Sequence, residues 1–326
     1  MAEILTVTRA GLSTVQDLGR ISGADYGLPA VGALDQHSAR VANVLAGNPQ
    51  DAPLLELTAT GLTCVASVDT LVALTGAPAD LHVDGLPRPA WEPTPVTAGQ
   101  EIRVGTLRVG LRGYLAVHGG LAAPRLLGSV APDPVLGFGA RLRDGAALGL
   151  ARTVPCVAHP QFRHPLYRLA APRPRIAASA VVEVTEGPDV DQFGDTADRL
   201  FAAPYVVAPE SDHIGLRMTG PLPRRTAAGE LLSRGMPVGA VEVPAGDQLV
   251  VLHRGRGVTA GYPVLAVVTA TGLDVLGQVR PGHTVRFRRT SVAAAVAARR
   301  RQQEAVDALA ARVRAALDAS GLLTAA

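Results

Sequence analysis

The sequence predicts a mainly β protein with short helices, two β-rich blocks and a C-terminal helix. Three observations lead there. The 326 residues include 35 Gly and 25 Pro, many for a helical protein and suited to a chain that turns often. Apolar residues come in short runs broken by turn residues, first from 54 to 150 and again from 181. Aromatic residues are 3% against 48% hydrophobic, so the core must be built mainly from Val, Leu, Ala and Ile.

Taken in order, residues 1–150 form a β-rich block that opens with a polar loop and a helix. Ile4 to Val7 reads as a strand, and Leu34 to Leu45 as a helix with Leu34, Val41, Val44 and Leu45 near helical spacing and Gly47 as its stop. Short strands follow at Leu71 to Leu74, Leu81 to Val83, Glu101 to Val104 and Tyr114 to Val117. Asp84-Gly85 is a hairpin signal, because both residue types tolerate the positive φ of tight turns. Short, locally connected strands argue for antiparallel pairing. Residues 151–180 carry Pro155, Pro160, Pro165, Pro172 and Pro174 and read as an extended connector.

The second block, 181–290, begins at Val181 to Val184 and has a short helix around Asp189 to Phe201. Its strands are Gly239 to Val243, Gln248 to His253, Val264 to Thr269 and Thr284 to Arg288. The tail, 291–326, carries an amphipathic helix marked by Val292, Val296, Val306, Leu309, Val313 and Leu317, with Arg299 to Arg301 on a solvated face.

All 31 basic residues are arginine. Schiff-base chemistry on lysine is therefore excluded, as is a phosphate loop with its lysine, and the chain cannot itself carry biotin or lipoate. A net charge of +3, with arginine scattered and no aromatic interleaving, gives nucleic-acid binding little support. Cys64 and Cys156 read as two buried thiols, and no metal site is expected. The first residues lack the features of a signal peptide, and no apolar stretch reaches the ~18 residues of a membrane span. The expected location is cytoplasmic.

Three groups of residues can carry chemistry. The first runs from Gln16 to Glu56. Asp17, beside Gln16 and near Arg20, either holds a ligand or fixes a turn. Asp35 suits either catalysis or the N–H groups at a helix start. Asn43 and Glu56 complete this cluster. The second is His118-Gly119-Gly120 with Ser129 downstream: His118 is a candidate acid or base, and the glycine N–H groups can receive an anion. The third holds Ser211, Asp212, His213 and Arg217, then the stretch from Arg254 to Pro263 with Thr259 and Tyr262. Adjacent Ser-Asp-His residues cannot converge as a hydrolase triad, whereas Arg217 offers a forked donor pair to a carboxylate.

Read together, these words resemble the carboxyltransferase subdomain A/B family, also called allophanate hydrolase subunit 2-like, which includes the C subunit of 5-oxoprolinase. The matching pieces are Val15 to Arg20, Gly32 to Asp35, Ala42-Asn43, Gly47 to Pro49, Leu74 to Ala77 and Tyr114 to Val117. They continue with Gly119-Gly120, Leu127 to Ser129 and Gly137 to Gly139, then Gly187-Pro188, Ser211-Asp212, Arg217, Gly239-Ala240, Thr259, Gly261 to Pro263 and Arg280 to Gly282. The resemblance implies two cyclophilin-like β-barrel subdomains plus the C-terminal helix. It implies a partner like the B subunit of 5-oxoprolinase (allophanate hydrolase subunit 1-like) and, in some members, a third protein of the LamB/YcsF type, the A subunit. In that assembly 5-oxo-L-proline is cleaved to L-glutamate with ATP, accompanied by Mg. Two alternatives stay open: a biotin-dependent carboxyltransferase component acting on urea or another small amide, and a non-catalytic regulatory partner.

The sequence departs from the family's words at four places. Val31 and Val130-Ala131-Pro132 stand where the family carries Ser and Arg-Ser-Thr. His213 replaces an Arg, and Gly255 to Gly257 replace a stretch with an Asp. The Val130 departure favours the regulatory alternative. On this reading Asp17, Asp35 and His118 are the candidate catalytic residues. Candidate substrate- or nucleotide-binding residues are Gln16, Arg20, Asn43, Glu56, Gly119, Gly120, Ser129, Ser211, Asp212, Arg217, Thr259 and Tyr262.

Overall fold

The computed structural model describes residues 3–152, 169–227, 229, 231–244 and 246–319. Most of the proline-rich connector, with Pro155, Pro160 and Pro165, lies outside the described residues, as does Cys156. The chain divides into two compact units. Unit 1 comprises Met1–Leu18, Gln36–Arg175 and Gln302–Ala326; unit 2 comprises Gly19–Asp35 and Ile176–Arg301.

The strands of unit 1 are β1 (Glu3–Arg9), β2 (Ser13–Gln16), β3 (Leu54–Thr58), β4 (Leu62–Ala66), β5 (Thr70–Gly76) and β6 (Leu81–Val83). They continue with β7 (Leu86–Arg88), β8 (Pro93–Val96), β9 (Glu101–Val104), β10 (Arg112–Val117) and β11 (Ala147–Gly149). They form a six-stranded sheet, β11-β1-β4-β9-β6-β7, and a five-stranded sheet, β2-β3-β10-β5-β8. The core joins the two: Leu5, Val7, Cys64 and Ile102 from one sheet pack with Leu55, Leu57, Val72, Leu74 and Leu115 from the other. Burial of the Cys64 thiol, with Glu101 adding, raises its pKa to about 12, so it stays an inert thiol.

Strand β5 is buried along its whole length. Val72 and Leu74 enter the core, and helix α1 (Gln36–Leu45) packs against β5 and β10. Asp84 (φ 48°) and Gly85 (φ 73°) make the tight turn between β6 and β7 as expected. Trp91, the chain's only tryptophan, is buried with φ 66° and donates its N–H to Leu74 O at 2.7 Å.

Unit 2 holds β12 (Ser179–Glu186), α2 (Arg199–Ala202), β13 (Tyr205–Val207), β14 (Gly215–Thr219), β15 (Arg234–Gly235) and β16 (Ala240–Glu242). It continues with β17 (Leu249–Leu252), β18 (Thr259–Ala260), β19 (Val264–Val268), α3 (Ala270–Leu276) and β20 (Thr284–Arg289). Seven strands close a barrel in the order β12-β19-β16-β17-β14-β13-β20. A parallel pair closes it: β12 and β20 run side by side from Ser179↔Thr284 to Val184↔Arg289, whereas the strand pairs of the first block are antiparallel, as expected there. Val182, Val184, Met218, Val251 and Phe287 fill the interior, with Tyr205 edge-on to Phe287 at 5.5 Å.

Residues 19–35 fall in unit 2 rather than in the first block. Val31 N–H donates to Arg254 O at 2.9 Å, and Gly277 lies so close to Leu34 that an added Cβ would meet its carbonyl carbon at 2.7 Å. The helix expected from Leu34 therefore starts at Gln36. Helix α3 has no counterpart in the sequence reading; Thr269 caps it by accepting from Gly272 N at 3.1 Å. The tail helix α4 (Val292–Ala319) buries Val306, Leu309, Val313 and Leu317, while Val292 and Val296 are exposed.

Phe287→Ala should cost about 3–5 kcal/mol, because it empties a sealed barrel position. Arg288→Ala, on the exposed face of the same strand, should shift stability by about 0.5 kcal/mol or less. Denaturant unfolding of the two variants measures the contrast.

Candidate functional site

In unit 1 the candidate residues are knitted into the backbone around α1 and β10. His118 Nδ1 lies 2.7 Å from Ala46 O. A carbonyl only accepts, so Nδ1 carries the proton. Burial lowers the His118 pKa; the Ala46 hydrogen bond opposes this and the Arg152 charge adds to it. The sequence suggests that the N–H groups of Gly119 and Gly120 are open to an anion; both are occupied. Gly119 N donates to Asn48 Oδ1 at 2.7 Å, and Gly120 N donates to Val117 O at 2.9 Å.

Asn43 spans the loop after α1, donating to Ala52 O at 2.8 Å and accepting from Asn48 at 3.3 Å. Glu56 is buried against Tyr114, whose hydroxyl donates to it at 2.8 Å, and faces Arg112 at 3.5 Å. These groups satisfy one another and hold strands in register.

Asp17 fixes a turn. It accepts from Ser129 Oγ at 2.6 Å and from Val130 N at 2.8 Å, with Arg125 3.9 Å away. Leu127 (φ 48°) and Gly128 (φ 82°) form the tip of that turn. Val130 and Ala131, where the family's words carry polar residues, are buried. Gln16 donates to Thr14 Oγ1 at 3.2 Å, while its own side-chain carbonyl oxygen is buried without a partner among the described residues.

In unit 2, Asp35 is 1% exposed and accepts from Gln278 at 2.7 Å. Arg20 is equally buried, its N–H bonded to Ala30 O at 2.7 Å. Val31 holds φ 46°, a costly conformation for a β-branched residue. Asp212 turns the chain by accepting from Ile214 N and Gly215 N, and Ser211 Oγ brackets the backbone of Arg217. The Arg217 guanidinium has no partner among the described residues. Thr259 pairs with Gly235 across β15 and β18.

Tyr262 is half exposed and lines a cleft of about 1290 Å³. Among the described residues the charged groups of its lining are Arg199, Arg224, Arg225 and Asp247. Arg225 is held by Gln192 Oε1 at 2.7 Å and Gly229 O at 2.6 Å. Arg224 extends without a side-chain partner among the described residues. Such a basic, tyrosine-edged cleft is chemically suited to a small carboxylate or phosphate.

The sequence reading misses these arginines and also Glu242. Burial raises the Glu242 pKa to about 7, and its Oε1 lacks a hydrogen-bond partner among the described residues. The available signals are the Pro223-Arg224-Arg225 word and a lone acid in the apolar run from Val241 to Val243. Among the described residues no cluster of metal-ligating groups is present, and no helix is long and apolar enough to cross a membrane.

These features define a two-unit β protein whose second unit is a closed barrel with a basic cleft. The chain belongs to the carboxyltransferase domain family, subdomain A and B, whose pattern it matches over residues 26–289. It is 32% identical to the C subunit of 5-oxoprolinase from Escherichia coli, over 95% of this chain and 99% of that one. It is 30% identical to urea amidolyase of Saccharomyces cerevisiae over 87% of its length, which is 16% of the relative.

The solved urea amidolyase of K. lactis superposes with a TM-score of 0.84 at 26% identity, covering 95% of this chain and 20% of that one. Another solved chain matches with a TM-score of 0.78 at 32% identity, and this protein spans 56% of it.

Asp17→Ala should cost about 2–4 kcal/mol, because it leaves Ser129 and Val130 N–H unpaired in a buried turn; thermal unfolding reads the loss. His118 should stay neutral to lower pH than a free histidine. Since its folded pKa lies below 6.5, its contribution to stability is intact above 6.5 and is lost as pH falls through the folded value. Imidazole NMR titration, with His118→Gln as the assignment control, measures the shift.

Proposed function

We propose that the chain is one component of an ATP-dependent 5-oxoprolinase-type complex that opens 5-oxo-L-proline to L-glutamate. The end-to-end match to the C subunit of 5-oxoprolinase carries this reading, since 95% of this chain aligns with 99% of that relative. A chain like the B subunit is the partner that completes the active site, and a LamB/YcsF-type protein, the A subunit, joins them. In this reading the cleft arginines take the carboxylate of the substrate or the phosphate oxygens of ATP with Mg. Asp17, Glu56 and Asn43 serve the fold of unit 1, because their polar atoms are committed to their neighbours.

The high overlap with the solved urea amidolyase favours a second reading, carboxyl transfer to a small amide. Biotin would then ride on a separate carrier, because this chain has no lysine.

The test is co-expression with the B-like and A-like proteins of the same organism. ATP-dependent glutamate formation from 5-oxo-L-proline is expected, and Arg224→Ala should lower kcat/KM by about tenfold, as for loss of one charge-assisted contact. A folded complex that yields no glutamate would overturn the reading. Carboxylation of urea by carboxybiotin would favour the second one.

A further inference from the structure

The cleft beside Tyr262 is larger than a small lactam acid needs. Its volume of about 1290 Å³ exceeds the roughly 300–1000 Å³ of a pocket that encloses a drug-sized ligand. 5-Oxo-L-proline is a single ring with one carboxylate, and it would leave most of the wall uncovered. The lining comes from separate stretches of unit 2, around Arg224, Val243 and Tyr262. All basic residues of the chain are arginine, so any phosphate that it binds is held without lysine. A guanidinium fork suits that task, because it meets two phosphate oxygens at once.

Arg225 is such a fork, already set in place. Its Nε donates to Gln192 Oε1 at 2.7 Å and its Nη1 to Gly229 O at 2.6 Å. These bonds fix the plane of the guanidinium, and its other N–H groups have no partner among the described residues. Gln192 is itself held: its amide donates to Asp189 Oδ1 at 3.2 Å, and its backbone carbonyl accepts from Thr226 N at 2.8 Å. A chain of polar contacts thus runs from the buried Asp189 to the cleft wall. The backbone of Arg224 is tied down as well, donating to Thr196 Oγ1 at 2.9 Å.

Tyr262 reaches the cleft from a different stretch. Its side chain is half exposed, and its hydroxyl has no hydrogen bond among the described residues. Its neighbours in the chain pin it. A Cβ on Gly261 would meet Leu231 O at 2.8 Å, and Pro263 fixes its own φ. An aromatic face kept open in this way can stack a planar base.

We propose that this cleft binds a nucleoside polyphosphate, with phosphate oxygens on the fork of Arg225 and on Arg224, and the base against Tyr262. ATP is the nucleotide under the ATP-dependent reading above, on which this assignment rests, and the substrate carboxylate is left to another site. Asp247, the acid of the described lining, accepts from a ribose hydroxyl or the base amine and stays clear of the phosphates.

The experiment is calorimetric titration of the full chain, in buffer with Mg, against ATP, inorganic tripolyphosphate and 5-oxo-L-proline. ATP should bind the wild-type chain, and tripolyphosphate should bind more weakly. Arg225→Lys keeps the charge and loses the fork, so it should weaken both by about tenfold. Tyr262→Ala should weaken ATP by about fivefold or more and leave tripolyphosphate unchanged, while Tyr262→Phe should restore ATP. 5-Oxo-L-proline should not displace ATP. Circular dichroism checks folding, and the Tyr262 variants decide the matter if Arg225→Lys fails to fold.

Failure of ATP to bind the wild-type chain would overturn the proposal. So would unchanged affinity for ATP in folded Arg225→Lys or in folded Tyr262→Ala, the latter marking a site for any polyanion. Competitive displacement of ATP by 5-oxo-L-proline would give the cleft to the substrate instead and overturn it too. ATP binding that depends on Arg225 and Tyr262, by a chain whose assembled complex forms no glutamate, would sink the 5-oxoprolinase reading and leave this one standing.

Discussion

The parallel pairing of β12 with β20 is the constraint on which unit 2 depends. The two strands lie at opposite ends of the barrel sequence, and their six-residue register closes it. A closed barrel has no free edge, so every strand is fixed by two neighbours. That rigidity sets Arg217, Val250 and Glu242 in one cross-strand row. The cleft residues lie on loops and short strands beyond this frame, which is the usual division between scaffold and recognition surface.

Unit 1 spends its polar residues differently. His118, Asn43, Asn48, Asp17 and Glu56 are buried, and each hydrogen-bonds a neighbour or a backbone group. Tight loops between short strands leave many peptide groups without ladder partners, and side-chain amides and carboxylates fill those gaps. Position-specific polar residues in such loops are therefore demanded by backbone satisfaction alone. Catalytic appearance and structural need coincide there, and only geometry separates them.

Much of the fold is legible in the sequence. Runs such as Leu81 to Val83 and Glu101 to Val104 carry their own boundaries, and Asp84-Gly85 declares its turn. What is not legible is long-range. Nothing local to Val181 or Phe287 states that their strands lie side by side in parallel. Nothing near Val31 states that its N–H will meet the carbonyl of Arg254. Helix α3 is hidden by Gly272 and by the strand-like run before it. At the site, Arg217 and Tyr262 can be named from the words around them. The Gly119 and Gly120 N–H groups look available only until Asn48 and Val117 are placed in space. Glu242 looks like an ordinary strand residue until the lack of a partner is seen.

Trp91 gives the molecule a built-in optical divide. It is the only indole in the chain, it is buried, and it belongs to unit 1. Light absorbed by tryptophan alone therefore sees the two-sheet unit and is blind to the barrel. If the barrel opens while the sheets hold, emission stays unchanged as the far-ultraviolet circular dichroism falls. If both change together, the two units melt as a single cooperative body. One residue thus lets a spectrometer decide whether this protein unfolds in one step or two.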